Sequence, residues 1–451
     1  MSDNRETFGS RFAVIMAFAG SAIGLGNIWR FPYMTGEGGG ALFVLVFAAA
    51  TLLLSLPIFY AESVIGRRGG ANCLGSMRNL GGGRFWKVFG LLCVFTPMFI
   101  LSYYSVVGGW SLEYLFKALG GAFASVQPSE AGGMFSQYVQ GVAAPIVTFT
   151  AFLAFTCLIP ASGVKSGIEK FSKISIPALF VIILVLAAYT LTLPGAFAGV
   201  EYLLRPDFSK FSVGMVADAV GQSFFSLSLG TGIIITYSSY VDKGENLVVS
   251  GVGTALAALV FSLLAGLTIL PAVFAAGTEP GAGPGLIFET LPFIFSTMAQ
   301  DAPVLSVVVS TLFFLTVLVA ALTSSVSLVE VGIAYMVEEW GLSRGKATLL
   351  CFALTWVVGL LSALSFGLLG DVRILGEPVL DAFDRFSSNI LMTVCALLGV
   401  VFVGFVMPRD DVISELGSHG KTGVCSRAVY FLIKWLCPAL ILAILIANFV
   451  S

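Results

Sequence analysis

An apolar segment near the amino terminus carries the stretch GSAIGLGNIWRFP at residues 20–32, in which Gly24 and Gly26 form a Gly-x-Gly. A later segment carries SLSLGTG at residues 226–232, again with a small polar residue shortly before a Gly-x-Gly. Glycine lets the backbone leave helical geometry, and paired interruptions of membrane helices point to a binding site between them. The alternative is close helix packing, for which glycine is common in membranes. Because the two stretches match, we expect two interrupted helices that meet at one site.

The composition excludes most soluble classes of protein. The chain has 451 residues, of which 57% are hydrophobic and only 11% are charged. An ordinary soluble domain has about 25% charged residues. The mean hydropathy is +0.98. A soluble enzyme, a nucleic-acid-binding protein and a disulfide-stapled secreted domain are therefore excluded, and a helical protein that crosses the lipid bilayer many times is predicted.

Eleven hydrophobic segments are long enough to span a bilayer, which takes roughly 20 apolar residues. The predicted fold class is all-α integral membrane protein with 11 transmembrane helices, the helices 1 and 6 being unwound in mid-membrane. The predicted spans are 11–35, 41–66, 88–118, 144–161, 171–193, 214–240, 247–275, 304–338, 346–368, 380–406 and 428–450. The semi-polar stretch 276–303 predicts a folded loop with short helices.

Basic residues set the orientation of such a chain, since cytoplasmic connections are rich in Lys and Arg. Of the 23 Lys and Arg residues, 16 fall in the connections on the same side as the amino terminus and three fall in or beside spans. The connections on the other side hold four: Lys117, Arg205, Lys210 and Arg373. We therefore expect a cytoplasmic amino terminus and an external carboxyl terminus.

The two Gly-x-Gly segments are five spans apart, which suggests an internal repeat. We expect a single transporter domain, 1–451, with a first five-helix repeat at 11–193, a second inverted repeat at 214–406 and an eleventh helix at 428–451. Repeats that start five helices apart have opposite topology, an arrangement found in secondary transporters.

Unwound backbone in a membrane needs partners for its freed polar groups. Freed N–H groups suit a carboxylate, whereas freed carbonyls suit a hard cation such as sodium. The hydroxyls of Thr323, Ser324, Ser325 and Ser327 form a second polar cluster in one span. They favour a sodium cage, with hydrogen bonding back to their own helix as the alternative.

Charged residues inside spans are costly and therefore indicate function. Arg30 and Asp384 fall toward the outer side, and we predict that they form a gate. Arg5 and Glu338 fall at the inner side and predict a second gate, with a solvated surface contact as the alternative. Glu62 is a lone acid that we expect to accept hydrogen bonds from unwound backbone.

These residues closely resemble the neurotransmitter:sodium symporter family, in its bacterial amino-acid branch. The resemblance runs through the whole chain, and it implies a location in the bacterial inner membrane. The motifs that carry it are RE at 5–6, SR at 10–11, GSAIGLGNIWRFP at 20–32, GGG at 38–40, ESVIGRRGG at 62–70, YY at 103–104, GQSFFSLSLG at 221–230, ITYSSY at 235–240 and LTSS at 322–325.

The resemblance implies a substrate site between the interrupted helices. The carboxylate would meet the backbone of Ala22, Leu25 and Gly26 and the Tyr104 hydroxyl. The pocket for the side chain would consist of Ile100, Tyr104, Phe225, Ser226, Ser228, Thr231, Ser324 and Leu328, with Phe225 as its lid.

The resemblance also implies ion sites. One sodium site would take the carbonyls of Gly20, Ile23 and Ala320 and the hydroxyls of Thr323 and Ser324. Another would take Ala22, Asn27 and Ser226, but Ala258 stands where relatives carry Asn or Asp. Gln222, Ser226 and Ser262 resemble part of a chloride site, while the tyrosine of that site is replaced by Val46 or Phe47. Chloride dependence is therefore left open.

The predicted function is a sodium-coupled symporter, not an enzyme, that imports neutral and mainly hydrophobic amino acids by alternating access. A channel or receptor is a second class, but the sequence has nothing like a pore filter. An intramembrane serine protease is a third class, but it needs a base and no span contains His. The sequence predicts nothing about the oligomeric state.

Overall fold

The computed structural model describes residues 6–277, 285–417 and 423–450, and these residues are almost entirely helical. The two strands found among them form a short antiparallel hairpin, Arg373–Ile374 with Glu377–Pro378. The all-helical class predicted from the sequence is therefore confirmed.

Nine helices in the described residues are long and apolar enough to cross a membrane. Several contain a π-helical turn, for example at Thr51–Ser55 and Val164–Glu169. The nine helices are Ala41–Gly69, Arg84–Leu119, Ala143–Ala161, Val164–Thr190, Leu247–Ala275, Pro303–Trp340, Arg344–Ala363, Val379–Val406 and Val424–Ile446.

Two further helices are broken, and only the first of them is long and apolar enough to count as one more candidate span among the described residues. The first broken helix consists of Arg11–Ala22 and Gly26–Glu37, which are bent by 58° relative to each other. The second broken helix consists of Val213–Ser226 and Ile233–Ser238, separated by a six-residue turn. Both interruptions fall at the predicted Gly-x-Gly stretches, whereas the total of eleven spans stays a prediction.

Short helices fill the connections. The predicted loop at 276–303 does contain short helices, although its residues 278–284 lie outside the described part of the chain. The short helices are Cys73–Asn79, Ala122–Ser125, Pro128–Ala131, Gly133–Val139, Ala196–Leu204, Phe208–Lys210, Leu286–Thr290, Leu291–Asp301 and Arg409–Leu416.

The broken helices lie inside the helical assembly, against the long helices 41–69, 247–275 and 303–340. Phe18 of the first broken helix packs edge-on against Phe59 at 5.0 Å, and both rings are fully buried. In contrast, apolar side chains such as Leu45, Ile174 and Val181 are exposed on the outside. An apolar exterior around a polar interior is the arrangement that a lipid environment favours.

Candidate functional site

The two helix breaks lie side by side. At the first, Ile23 adopts an extended conformation. At the second, Ser228, Gly230 and Gly232 all have positive φ angles, of 54°, 72° and 71°. The Ser228 hydroxyl donates a hydrogen bond to the Ser21 carbonyl at 2.7 Å, so it joins the two breaks directly.

Glycine is required at the first break because side chains approach its backbone closely. A Cβ on Gly24 would lie 2.4 Å from Ser324 Oγ, and a Cβ on Gly26 would lie 2.6 Å from the Phe225 ring. Any other residue would therefore push away the side chains that border the space between the breaks.

A central cavity lies at the breaks and collects most of the predicted substrate-site residues. Its lining is Ser21, Ala22, Gly24, Gly26, Asn27, Ile100, Tyr104, Phe225, Ser228, Thr231, Ile233, Ser324, Leu328 and Met392. Two predicted residues lie beside this lining. Leu25 lines a neighbouring cavity and its N–H donates to Tyr104 Oη at 3.3 Å, whereas Ser226 is hydrogen-bonded to Asn27.

Asn27 was predicted as a sodium ligand, and four other lining residues were not predicted for any site. Ser21 and Gly24 belong to the quoted stretch GSAIGLGNIWRFP, and Ile233 directly follows SLSLGTG, so proximity to the breaks was an available signal. Met392 comes from the helix 379–406 and has no such signal, since its place in the cavity depends on how that helix packs.

A group of oxygen atoms lies next to the central cavity, and the predicted sodium ligands supply it. Thr323 Oγ1 lies 3.2 Å from the Ile23 carbonyl oxygen and 2.9 Å from that of Ala320. Ser324 Oγ lies 3.5 Å from the Ile23 oxygen. An all-oxygen set of hydroxyls and carbonyls suits a hard monovalent cation. Ser324 lines both this group and the central cavity.

The remaining members of the hydroxyl cluster point elsewhere. Ser325 Oγ lies 2.8 Å from Thr156 Oγ1, and Ser327 Oγ accepts a hydrogen bond from Tyr237 at 2.9 Å. Gly20, the fifth predicted sodium ligand, packs against Ser172, whose Oγ would lie 3.2 Å from a Cβ at that position.

Asn27 is at the centre of a second polar group. Its amide nitrogen donates to Ser226 Oγ at 2.9 Å and to Ser262 Oγ at 2.8 Å. Ser262 in turn donates to the Ala258 carbonyl at 2.9 Å. The structure therefore brings the candidate sodium ligands Asn27 and Ser226 together with the candidate chloride ligand Ser262, while the Ala258 side chain supplies no oxygen.

Gln222, the third candidate chloride ligand, borders the same group. Its Nε2 donates to the Gly26 carbonyl at 2.9 Å. In the described part of the chain, its buried Oε1 has no hydrogen-bond partner.

Glu62 stabilises the second break. One oxygen of this buried carboxyl accepts a hydrogen bond from the Gly230 N–H at 2.7 Å. The expectation that Glu62 accepts a hydrogen bond from unwound backbone is thus confirmed. In a continuous helix, the Gly230 N–H would instead donate to a carbonyl of its own helix.

A second and larger cavity, the wide cavity, adjoins the central one and has a volume of about 410 Å³. Its lining includes Trp29, Arg30, Tyr33, Tyr103, Trp110, Phe366, Asp381 and Asp384. The Arg30 guanidinium lies 5.6 Å from the centroid of the Phe225 ring, while Asp384 accepts a hydrogen bond from the Ser388 hydroxyl at 3.2 Å. Among the described residues no ion pair joins Arg30 to Asp384, although they share this cavity.

Hydrogen bonds and an ion pair hold the carboxyl-terminal end of the helix 303–340. Glu338 accepts hydrogen bonds from the backbone and side chain of Asn72, at 2.7 and 3.0 Å. Glu339 accepts two hydrogen bonds from Arg78, both at 2.9 Å, and this bonding raises the pKa of Arg78. Arg5, the predicted partner of Glu338, lies outside the described residues.

Glu330 forms a second layer of contacts nearer the cavity. It is fully buried, pairs with Arg344 and accepts a hydrogen bond from the Tyr240 hydroxyl at 2.8 Å. Arg344 also donates to the Pro160 carbonyl. These contacts join the turn after the helix Ile233–Ser238 to the surrounding long helices.

Comparison with known proteins gives a consistent match. A model of the sodium:neurotransmitter symporter family matches residues 5–129 and 134–451. The uncharacterised sodium-dependent transporter YhdH of Bacillus subtilis is 35% identical over 450 residues, which cover 98% of both chains. The sodium-dependent serotonin transporter of Drosophila melanogaster is 26% identical over 98% of this chain and 76% of its own length.

A solved structure shows the same fold. The crystal structure of MhsT in complex with L-phenylalanine matches with a TM-score of 0.91 and 39% sequence identity. The match covers 99% of this chain and 100% of MhsT.

Proposed function

The chain belongs to the sodium:neurotransmitter symporter family and is a sodium-dependent symporter that crosses the membrane several times, and we propose that it imports neutral, mainly hydrophobic amino acids by alternating access. The family consists of transporters and not of enzymes. The proposal extends to the two five-helix repeats, 11–193 and 214–406, as the halves that carry the broken helices.

The lining of the central cavity carries the substrate proposal. Apolar groups of Ile100, Phe225, Leu328 and Met392 form one part, and no charged side chain lines this cavity in the part of the chain that the structure describes. A charged side chain would lose its hydration there without gaining a countercharge, so neutral side chains are favoured. The complex of MhsT with L-phenylalanine supports the same class of ligand.

The backbone of the first break is the proposed site for the substrate carboxylate. The Leu25 N–H already points at Tyr104 Oη, and a carboxylate next to both would accept from the N–H and from the hydroxyl. Hydrogen bonds of this kind to a charged acceptor are stronger than those between neutral groups.

Sodium is proposed to bind at Thr323 and Ser324, together with the carbonyls of Ile23, Ala320 and Gly20. Because Ser324 also lines the central cavity, a cation there would fix one wall of the substrate site. Binding of the ion and of the amino acid would then favour the same arrangement of the first break, which is the requirement for coupling. Sodium at Asn27, Ala22 and Ser226 and chloride at Gln222, Ser226 and Ser262 remain proposals.

We propose that the wide cavity opens to the outside and that the polar contacts of Glu338 and Glu330 close the inside. In this orientation the amino terminus lies in the cytoplasm of a bacterium. Arg30 with Asp384 would close the outer path, and Arg5 with Glu338 would close the inner path.

Transport by the purified protein in proteoliposomes tests the function. We expect radiolabelled leucine or phenylalanine to accumulate inside the proteoliposomes above its outside concentration only when a sodium gradient points inward. Unlabelled hydrophobic amino acids should compete, whereas glutamate and lysine should not. A channel or receptor would give no accumulation, and strong competition by glutamate or lysine alone would contradict the proposed substrate class.

A hydroxyl-deletion series tests the sodium site. The double variant Thr323→Ala/Ser324→Ala should fold but lose sodium-driven uptake. Ser325→Ala is the matched control, because that neighbouring hydroxyl bonds to Thr156 and lies outside the cavity lining. Undiminished sodium-dependent uptake in the double variant would overturn the assignment of this site.

A further inference from the structure

Lys434 is a charged side chain inside the membrane-crossing helix Val424–Ile446. In the described part of the chain its ammonium group forms no hydrogen bond and no ion pair. Its neighbours are three aromatic rings, since the ammonium nitrogen lies 5.1 Å from the ring centroid of Phe405, 5.7 Å from that of Trp435 and 5.9 Å from that of Tyr430. The rings hold the cation in place, but its N–H donors lack an acceptor.

These four residues, which we call the aromatic seam, lie on the outside of the helical assembly. Phe405 and Trp435 are 51% and 57% exposed. Their rings meet edge-on at 5.6 Å and join the helices 379–406 and 424–446. Because both helices are apolar enough to cross a membrane, this exposed surface faces lipid.

The aromatic seam lies near one end of the helix 379–406. The Tyr430 hydroxyl donates to the Gly404 carbonyl at 3.1 Å, and a Cβ on Gly404 would lie 3.0 Å from the Lys434 Cα. The helix ends two residues later, at Val406, so Lys434 is level with its last turn. Trp and Tyr are enriched at this depth of a bilayer, where a lysine can extend its ammonium group toward the lipid headgroups.

The charges around this lysine leave a positive surface. Arg427 is exposed, lies about two helical turns nearer the start of the same helix, and forms no ion pair among the described residues. In the preceding short helix, Asp411 and Glu415 pair with Arg68, and Asp410 is exposed. A ligand that brings a negative charge and hydrogen-bond acceptors from the lipid side would therefore complement this surface.

We propose that the aromatic seam binds the headgroup of an anionic phospholipid. The phosphate oxygens accept hydrogen bonds from the Lys434 ammonium group, and the acyl chains pack on Phe405 and Trp435. Arg427 adds attraction from the headgroup region. A zwitterionic phospholipid fits less well, because its own cation is repelled by the two basic residues. The bound lipid would hold the helices 379–406 and 424–446 together, whichever amino acid the protein transports.

Native mass spectrometry of the purified protein in a neutral detergent measures this binding. The probes are phosphatidylglycerol and phosphatidylcholine with identical acyl chains. The parent protein should bind the first phosphatidylglycerol molecule more tightly than the first phosphatidylcholine molecule. Lys434→Gln should weaken binding of phosphatidylglycerol about fivefold and leave that of phosphatidylcholine unchanged, whereas Lys434→Arg should retain both affinities.

Lys87→Gln is the matched control, because Lys87 is an exposed lysine on the side of the membrane predicted for the start of the helix 424–446. It removes the same charge, yet it should leave the affinity for the first phosphatidylglycerol molecule unchanged. Inorganic phosphate should not displace the lipid, since it lacks the acyl chains that contact the aromatic rings.

Trp435 reports where the lipid binds. Phosphatidylglycerol with brominated acyl chains quenches the fluorescence of a tryptophan that it contacts, and the difference between the parent and Trp435→Phe isolates this residue among the six tryptophans. Brominated phosphatidylglycerol should quench Trp435 more than brominated phosphatidylcholine does. Lys434→Gln should remove that difference.

Equal affinity for phosphatidylglycerol in Lys434→Gln and the parent would overturn the proposal. Equal weakening by Lys87→Gln would also overturn it, because the effect would then be one of total charge. Displacement by inorganic phosphate would assign the lysine to a free anion instead of a lipid. Lys434→Met provides the same test if the Gln variant does not fold. No arm requires transport, so failure of the proposed function would show separately, as absent sodium-driven uptake.

Discussion

At the scale of single residues, several polar groups that the helix breaks leave without a helical partner are bonded to neighbouring residues. Tyr104 accepts a hydrogen bond from the Leu25 N–H, and Glu62 accepts one from the Gly230 N–H. Ser228 donates to the Ser21 carbonyl. An unsatisfied group in such surroundings costs several kcal/mol, so these contacts make the breaks tolerable. The residues that remain to be tested are those whose side chains set the size of the cavity and its affinity for ions.

Thr231 sets the room for the substrate side chain. It lines the central cavity beside apolar residues, and Thr231→Phe should fill that space. Each buried methylene contributes about 0.8 kcal/mol, so exclusion of a large side chain should cost at least tenfold in affinity. We expect competition by tryptophan and leucine to weaken relative to alanine, as measured by inhibition of uptake.

Thr231→Val is the control for this substitution, because it removes the hydroxyl at nearly constant volume. Its preference for large over small amino acids should stay close to that of the parent protein. Unchanged competition by tryptophan in Thr231→Phe would place the substrate side chain elsewhere.

Ala258 should determine how many sodium ions are coupled to uptake. The Asn27 group contains Ser226 and Ser262 but receives no side-chain oxygen from position 258. Ala258→Asn supplies one, and we expect the Hill coefficient for sodium to rise from about one toward two. Ala258→Val, which adds volume without oxygen, should not raise it; a coefficient near two already in the parent would contradict the prediction.

At the scale of secondary structure, the second broken helix depends on backbone conformations that favour glycine. Gly230 has φ +72°, and a Cβ there would lie 2.0 Å from the Met392 carbonyl oxygen. This close approach joins the break to the helix 379–406. The break is thus fixed by its surroundings as well as by its own sequence.

Gly230→Ala should therefore abolish uptake and lower the thermal stability of the purified protein. The matched control is Gly70→Ala, since Gly70 has φ +59° but open space around its Cα. Strain alone costs about 1–2 kcal/mol, so the control should fold and transport with a modest drop in melting temperature. Equal losses in the two variants would show that the contact with Met392 is unimportant.

Most of the fold was predictable because the signals are local. Long apolar runs predict the spans, and Gly-x-Gly predicts the breaks, which fall at 23–25 and 227–232. The resemblance to the family, whose motifs include the breaks, then allowed neighbours along the chain such as Ala22 and Gly26 to be assigned to the site. Met392 could not, because no pattern in its own helix tells which residue faces a break in another helix.

The predicted gate of Arg30 and Asp384 shows the same limit of prediction from local sequence. The cost of charges in membranes led to the prediction that Arg30 and Asp384 form a gate. The structure places both residues at one cavity, with the guanidinium over Phe225. Which groups an arginine contacts depends on side-chain positions that the spacing of residues along the chain does not encode.

At the scale of the whole molecule, the two sides of the central cavity differ in how open they are. On one side lies the wide cavity, and on the other side lie the contacts made by Glu330, Glu338 and Glu339. Alternating access requires that these two sides exchange their roles around one site. The orientation of the chain in the membrane then decides from which side the substrate enters.

Cys425 provides a native reporter of that orientation. It is the exposed cysteine among the described residues and precedes the eleventh predicted span, on the side where basic residues place the cytoplasm. An impermeant maleimide should leave intact cells unlabelled and should label the protein only after permeabilisation. Cys425→Ser should abolish that labelling, because the other six cysteines are buried.

A second reporter tests the opposite side of the membrane. Ser209 lies in an exposed connection on that side, so Ser209→Cys in the Cys425→Ser background should be labelled in intact cells. Labelling of Cys425 in intact cells would reverse the orientation, and the wide cavity would then open to the cytoplasm.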